Sequence, residues 1–171
     1  MPSSESSGAP SSASVPPALA AVDAAIARLR ELPGALLPIL HAIQDELGYV
    51  PPAATARIAN ALNLSLADVH GVITFYHDFR SKPPGRHVLK LCRAEACQSM
   101  GCERLEEHLR ERHGVSMKQT SADGSLTVEP VYCLGNCALS PALLFDGKLQ
   151  GRVTEARLDE LLAAAVAGGR A

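Results

Sequence analysis

Four of the five cysteines in this chain fall into two close pairs, Cys92-x₄-Cys97 and Cys133-x₃-Cys137. Each pair stands where a stretch with strand character runs out into a loop. Thiolates gathered from two loops form a soft donor set, suited to a soft metal centre. The first spacing lies at the edge of the Cys-x₂₋₄-Cys range of structural zinc. It also equals the spacing of the first two ligands in plant-type iron–sulphur proteins, from which the second pair departs. An iron–sulphur cluster is the preferred reading. Zinc, and inert or disulphide-bonded thiols, are the alternatives.

The neighbours of these cysteines suit the task. Gly101 opens a predicted helix just after Cys97, where backbone N–H groups favour negative charge. Gly135, between Cys133 and Cys137, permits a left-handed turn or close approach to a bulky inorganic centre. Asn136 also tolerates the left-handed region and is expected to donate to a sulphide, although a plain Gly-Asn turn accounts for the pair equally. Cys102 falls inside the helix and reads as a small buried hydrophobe. The six histidines are scattered and none forms a Cys-x-His pair, so a Rieske-type centre is not supported. His70 and His77 share a predicted helix face and read as packing or surface polarity. Tyr49, Phe75, Tyr76 and Phe79 read as core aromatics. No Gly-x-Gly-x-x-Gly or Walker sequence is present, and no nucleophile–base constellation is evident. The pattern is that of a redox-centre carrier without catalytic residues of its own.

Two kinds of element must position these residues. From Ala18 to Arg80 the texture is helical. Leu19, Val22, Ile26 and Leu29 form one stripe, and Leu36, Leu40, Ile43 and Leu47 a second. Pro52 is placed to open a third helix carrying Ile58 and Leu62. Ser65-x-x-Asp68 is a capping box for a fourth, with Val69, Val72, Ile73 and Tyr76 inward. After a linker at 81–86 the pattern changes. His87–Leu91 alternates as a strand leading into Cys92. Cys102–His113 reads as a helix with Leu105 and Leu109 inward and Glu106 paired with Arg110. Asp123-Gly124 turns the chain into a strand, Leu126–Val131, that leads to Cys133. Ala142–Phe145 and Lys148–Gln150 form a hairpin across Asp146-Gly147. Thr154 caps a last helix with Leu158, Leu161, Leu162 and Val166 inside. The expected fold class is α+β: a disordered tail over 1–17, a helical bundle over 18–80, and a thioredoxin-like domain over 87–171.

Composition sets limits. The chain has 171 residues and a formal net charge of −2. It shows no basic field to engage nucleic acid or an anionic membrane. No apolar run approaches the roughly 20 residues that span a bilayer. Residues 1–17 lack the basic and apolar segments of a secretory signal. A reducing compartment, the cytoplasm, is expected, with the cysteines serving as ligands.

The runs Leu36–Tyr49, Val69–Tyr76, Cys92-x₄-Cys97, Asp123-Gly124 and Cys133-Leu134-Gly135-Asn136-Cys137 resemble the complex I subunit that carries a thioredoxin-like [2Fe–2S] cluster. The resemblance covers Ala18 to Val166. It implies a [2Fe–2S] cluster ligated by Cys92, Cys97, Cys133 and Cys137, with no catalytic residue in this chain. Arg93-Ala94-Glu95-Ala96-Cys97-Gln98 resembles most the gamma subunit of molybdenum-dependent, NAD-linked formate dehydrogenases. That implies a partner of beta type binding FMN and NAD, and a larger alpha-type subunit holding the molybdenum cofactor. Related subunits serve NAD-reducing hydrogenases and NADH–quinone oxidoreductases. Gln150 stands where the family often has tyrosine. Three other readings are a cluster-sensing helix-turn-helix regulator, a zinc-stapled module and a thiol oxidoreductase. The first lacks a basic recognition face, and the last lacks Cys-x-x-Cys.

Overall fold

The structure, a computed structural model, describes residues 17–168, with side chains as far as 165. Residues 1–16 of the tail expected to be disordered, and the side chain of Val166, lie outside the described residues; Pro17, placed in the same tail, is the first residue of a helix instead. The described residues divide into two compact units, with the boundary between Pro83 and Pro84.

Among the described residues the first unit holds four helices: α1 (Pro17–Leu29), α2 (Leu36–Leu47), α3 (Ala54–Leu62) and α4 (Leu66–Phe75). Its core joins Val22, Ile26, Ile39, Leu40, Ile43, Ile58, Val69 and Phe79. The sequence stripes were drawn from large apolar residues. Ala21, Ala25, Ala54 and Ala59 are buried as well, while Leu29, Leu36, Leu47 and Leu62 are only partly covered. Small side chains let helices approach closely, and an apolar stripe that omits alanine misses that contact. Gly48 ends α2 at φ 81°, donating its N–H to Gln44 O. Gln44 then holds the segment beyond α4: its Nε2 donates to Asp78 O at 2.8 Å, and its Oε1 accepts from Arg80 N–H at 2.7 Å.

Two expectations need correction here. Pro52 does not open α3; it lies in a turn, and Ala54 N–H donates to Pro51 O at 2.8 Å before the helix starts. Phe75 and Tyr76 are not core aromatics, being 73% and 45% exposed. The reason is that α4 stops at Phe75 and Tyr76 turns extended, at φ −85° and ψ 98°. The inward stripe therefore ends early, and Phe79 enters the core instead.

The second unit is a five-stranded sheet in the order β2-β3-β1-β4-β5. Its strands are β1 (His87–Cys92), β2 (Gln119–Thr120), β3 (Leu126–Val131), β4 (Leu143–Phe145) and β5 (Lys148–Gln150). β1 and β3 run parallel; the other pairs are antiparallel. A parallel neighbour needs a long crossover. The crossover contains α5 (Glu95–Ser99) and α6 (Cys102–His113), and α7 (Glu155–Gly168) closes the unit. Leu89, Leu91, Leu105, Leu109, Leu143 and Leu158 form its core. Pro130 is tolerated in β3 because β2 has ended before reaching it. The short elements α5 and β2 carry too few residues to show a periodicity in the sequence. Glu106 does not pair with Arg110. It pairs with Arg93, and Arg110 turns to Glu107 at 3.1 Å.

The two turn devices read from sequence are present. Ser65 and Asp68 form a complete capping box. Replacing Ser65 by Ala is expected to cost about 1 kcal/mol, read as a lower urea midpoint; an unchanged midpoint would show that the box contributes nothing. In the β2–β3 turn, the Asp123 carboxylate accepts from Ser121 Oγ at 2.6 Å, Ser125 N–H at 3.0 Å and Ser125 Oγ at 2.8 Å. These bonds hold its pKa down at about 2. The unfolded value is about 3.9, so the carboxylate's contribution is present above that pH and is lost as pH falls through about 2. The stability deficit of Asp123→Ala, measured by urea denaturation, should therefore be full at neutral pH and narrow toward the acid limit. A deficit that does not change with pH would refute the assignment.

Candidate metal centre

The parallel register of β1 and β3 sets Cys92 opposite Val131. Both strands end at the same edge of the sheet. Cys92 N–H donates to Ala142 O at 3.1 Å, and Arg93 N–H to Val131 O at 2.8 Å. The end of β1 is thus fastened to both neighbours, β3 on one side and the approach to β4 on the other. The chain then turns at once into α5. The N–H groups of Cys97 and Gln98 donate to Ala94 O, each at 2.9 Å, and Gln98 Nε2 returns to Arg93 O at 3.0 Å. Cys97 stands in this single turn, 2% exposed.

The second pair follows β3. Cys133 lies two residues past the strand end at φ 97°, and Gly135 at φ 72°. A positive φ is unfavourable for a residue with a side chain, so the loop holds Cys133 against its backbone preference. Gly135 N–H then lies 3.3 Å from Cys133 Sγ. Cys137 begins a 3₁₀ turn, Cys137–Leu139, and its Sγ is 3.8 Å from that of Cys133. Ser140 braces this turn, its Oγ donating to Cys137 O at 2.8 Å and lying 3.6 Å from Cys97 Sγ.

All five cysteines are free thiols, and four of them interact. Burial by itself raises the pKa of Cys92. The N–H groups of Ala94, Cys133 and Leu134 and the Cys97 thiol together outweigh it, so the net shift is downward. Cys137 moves the other way. Its hydrogen bond and charge contact with Cys133 push its thiol up, with smaller contributions from burial, Cys97 and Cys92. Neighbouring thiolates repel, and a cationic centre removes that cost. The walls are apolar, from Ala94, Val131, Leu134 and Ala142. Buried thiols, backbone N–H donors aimed at sulphur and an apolar wall fit a soft, multiply thiolate-ligated group.

The fifth cysteine, Cys102, is fully buried in the first turn of α6, and burial raises its pKa. Asn136 departs from expectation: it sits at φ −110°, ψ 38°, outside the left-handed region. Its amide nitrogen would lie 2.8 Å from a Cβ at Gly151, so it faces the return of the β4–β5 hairpin. The left-handed residues are Cys133 and Gly135. Sequence reasoning missed Ser140 and Gly151; the Ser140-Pro141 dipeptide was the available signal for the first. His70 and His77 border one groove of the helical unit, with His77 beyond the end of α4.

Four convergent free thiols at the ends of two parallel strands define a class, the cysteine-ligated metal or cluster carrier. The chain belongs to the thioredoxin-like [2Fe–2S] ferredoxin family, which it matches over residues 22–166. It is 36% identical over 132 residues to a subunit of the NADH-quinone oxidoreductase of Pseudomonas aeruginosa, covering 77% of this chain and 80% of that protein. It is 29% identical over 138 residues to the NADP-reducing hydrogenase subunit HndA of Solidesulfovibrio fructosivorans, covering 81% of each. The structure superposes on a chain of an air-oxidised NAD⁺-reducing [NiFe]-hydrogenase with a TM-score of 0.67 at 29% identity, over 84% of this chain. The match spans about a quarter of that hydrogenase chain, 24%.

Replacing Cys92, Cys97, Cys133 or Cys137 by Ser is expected to bleach or destabilise the anaerobically purified, red-brown chain, because a harder oxygen replaces a thiolate. Cys102→Ala should leave it coloured. Visible absorbance and iron content per chain check both, and zinc without iron in the wild type would refute the cluster reading.

Proposed function

We propose that Cys92, Cys97, Cys133 and Cys137 hold the [2Fe–2S] cluster of this family, and that the chain is an electron-transfer subunit of a multisubunit nicotinamide-dependent oxidoreductase. The observation that carries this is the meeting of four thiols at one sheet edge in a chain of this family. Bound there, the cluster supplies one-electron transfer. The protein's part is to ligate, to bury one side and to leave the other open.

The burial is uneven in a way that suits that role. Cys92 and Cys97 are buried, while Cys133 and Cys137 are exposed. Tyr132, Met100 and Leu139, each close in sequence to a ligand, are 75%, 56% and 40% exposed. An apolar rim beside exposed thiols suits docking against a partner that takes or gives the electron. The partner in this reading is an FMN- and NAD-binding subunit of beta type. In the helical unit Leu66, Phe75 and Tyr76 are exposed too and supply further docking surface.

The finer assignment is to a cytoplasmic NAD-dependent formate dehydrogenase whose alpha-type subunit carries molybdenum. Arg93–Gln98, the run that includes the α5 turn, supports it through its likeness to the gamma subunits of such enzymes. A second reading, the equivalent subunit of a quinone-reducing or hydrogen-oxidising complex, is favoured by the relatives from Pseudomonas aeruginosa and Solidesulfovibrio fructosivorans. In either reading the substrate is handled elsewhere. Among the described residues no helix is long and apolar enough to cross a membrane.

Chemically reduced chain should give a spin-half EPR signal of a [2Fe–2S] centre. Mixed with the flavin subunit of its own cell it should form a stable complex, in which NADH reduces the centre at least in part. Plant-type potentials lie near about −400 mV, so incomplete reduction is consistent with the proposal. Tight NADH binding or formate turnover by the isolated chain, or no association with a flavin-bearing partner, would overturn it. Molybdenum in the complex isolated through this chain selects the formate reading, and its absence selects the second.

A further inference from the structure

We propose that His108, His113 and Asp159 form a zinc-binding clamp between α6 and α7, separate from the four thiols. His108 Nε2 and His113 Nε2 lie 2.8 Å and 2.7 Å from the same oxygen, Asp159 Oδ1. One ligand atom from each of the three residues falls within a 4.8 Å span. The two rings meet edge to face with centroids 5.8 Å apart, so both present Nε2 to one point. His113 is the last residue of α6, and the chain leaves through Gly114 at φ 63°. Asp159 and Glu155 stand one turn apart on α7, on a shared face.

The surroundings are those of a ligand set. Glu155 Oε2 lies 3.8 Å from His108 Nδ1, the ring nitrogen turned away from Asp159. That is an ion-pair contact; a small rotation of the half-exposed Glu155 would bring its carboxylate within hydrogen-bond reach of Nδ1–H, where it orients a metal-bound imidazole and raises its basicity. The side chains of His108, His113 and Asp159 are 14%, 28% and 38% exposed, sheltered yet reachable. His113 and Gly114 also line a groove of about 420 Å³ that reaches Leu162 and gives an ion a path in. Two imidazoles and a carboxylate are a borderline donor set that suits zinc, with water in the fourth position. Zinc bonds of about 2.0–2.2 Å need the donors to separate slightly, which rotation of partly exposed side chains supplies. The ion would bind each ring through Nε2 with the ring's proton carried on Nδ1, would take the place of the direct His–Asp159 hydrogen bonds and would tie the two helices together.

The test uses the untagged, cluster-loaded chain, washed with chelator and titrated with zinc chloride by calorimetry while iron is counted. One zinc should bind per chain with no loss of iron, and the melting midpoint should rise. Glu155→Gln should weaken binding by roughly tenfold. His113→Ala and Asp159→Asn should each weaken it by more than the roughly 100-fold that an outer partner can cost and should abolish the rise in midpoint. The visible circular dichroism of the cluster must be unchanged in every variant, which separates a lost ligand from a lost fold; His108→Ala serves as a substitute if one variant fails that control. Equal zinc affinity in wild type and variants, no zinc binding, or zinc uptake matched by iron release would each overturn the proposal.

Discussion

The site depends on one pairing, the parallel ladder between β1 and β3. Parallel strands are far apart in sequence, because the chain must return before it can run the same way again. Their ends nevertheless coincide in space, and here Cys92 is level with Val131. Two loops with no sequence contact thereby start from the same edge, and each begins with a thiol or reaches one within two residues. A slip of one residue would also turn every β3 side chain to the opposite face. Leu126 and Val128 are buried on one face of β3, and Thr127, buried on the other, shares hydrogen bonds with Thr120 Oγ1 and Gly85 N–H, so the two faces are not interchangeable and such a slip is resisted. The core of the second unit and the position of its thiols are therefore set by the same ladder.

Local conformation completes what the ladder begins. On the β1 side, a single helical turn carries Cys97 into the interior. On the β3 side the chain accepts a positive φ at Cys133, a conformation that costs on the order of 1–3 kcal/mol and persists only where the surroundings impose it. The surroundings impose it through Gly135, whose N–H points back at the sulphur, and through the 3₁₀ turn that Ser140 braces. Regular structure brings the loops together, and irregular structure aims the sulphurs.

Much of this was legible in the sequence because it rests on local signals. The strand bounds of β3 and β5, those of β1 to within one residue, the α6 helix and the Ser65 capping box follow from alternation, periodicity and spacing. The cysteine spacing pointed to the metal-binding class. What escaped depends on tertiary context. Phe75 and Tyr76 look like core residues in any hydrophobicity pattern, and only the early end of α4 exposes them. Cys133 and not Asn136 takes the positive φ, because the loop is set by the Gly135 N–H contact with Cys133 Sγ and by the 3₁₀ turn at Cys137 and not by the turn propensity of Asn136. The meeting of His108 and His113 with Asp159 joins helices that the whole of β2 to β5 separates in sequence, and no spacing rule connects them.

Gly151 extends the reach of the site in another direction. A Cβ at that position would lie 2.8 Å from both the Asn136 amide nitrogen and the Leu139 Cβ, and 3.0 Å from Leu139 O. Arg152 N–H already donates to that same oxygen at 2.6 Å. The return of a hairpin that contains no cysteine thus fixes the lateral room left for the loop that contains two. For recombination between relatives, the boundary of the cluster module is consequently not the last cysteine. A chimera joined between Cys137 and Lys148 stays compatible only if the incoming segment also brings glycine to position 151. The hairpin and the cysteine loop, though separate in sequence, have to be exchanged as a single block.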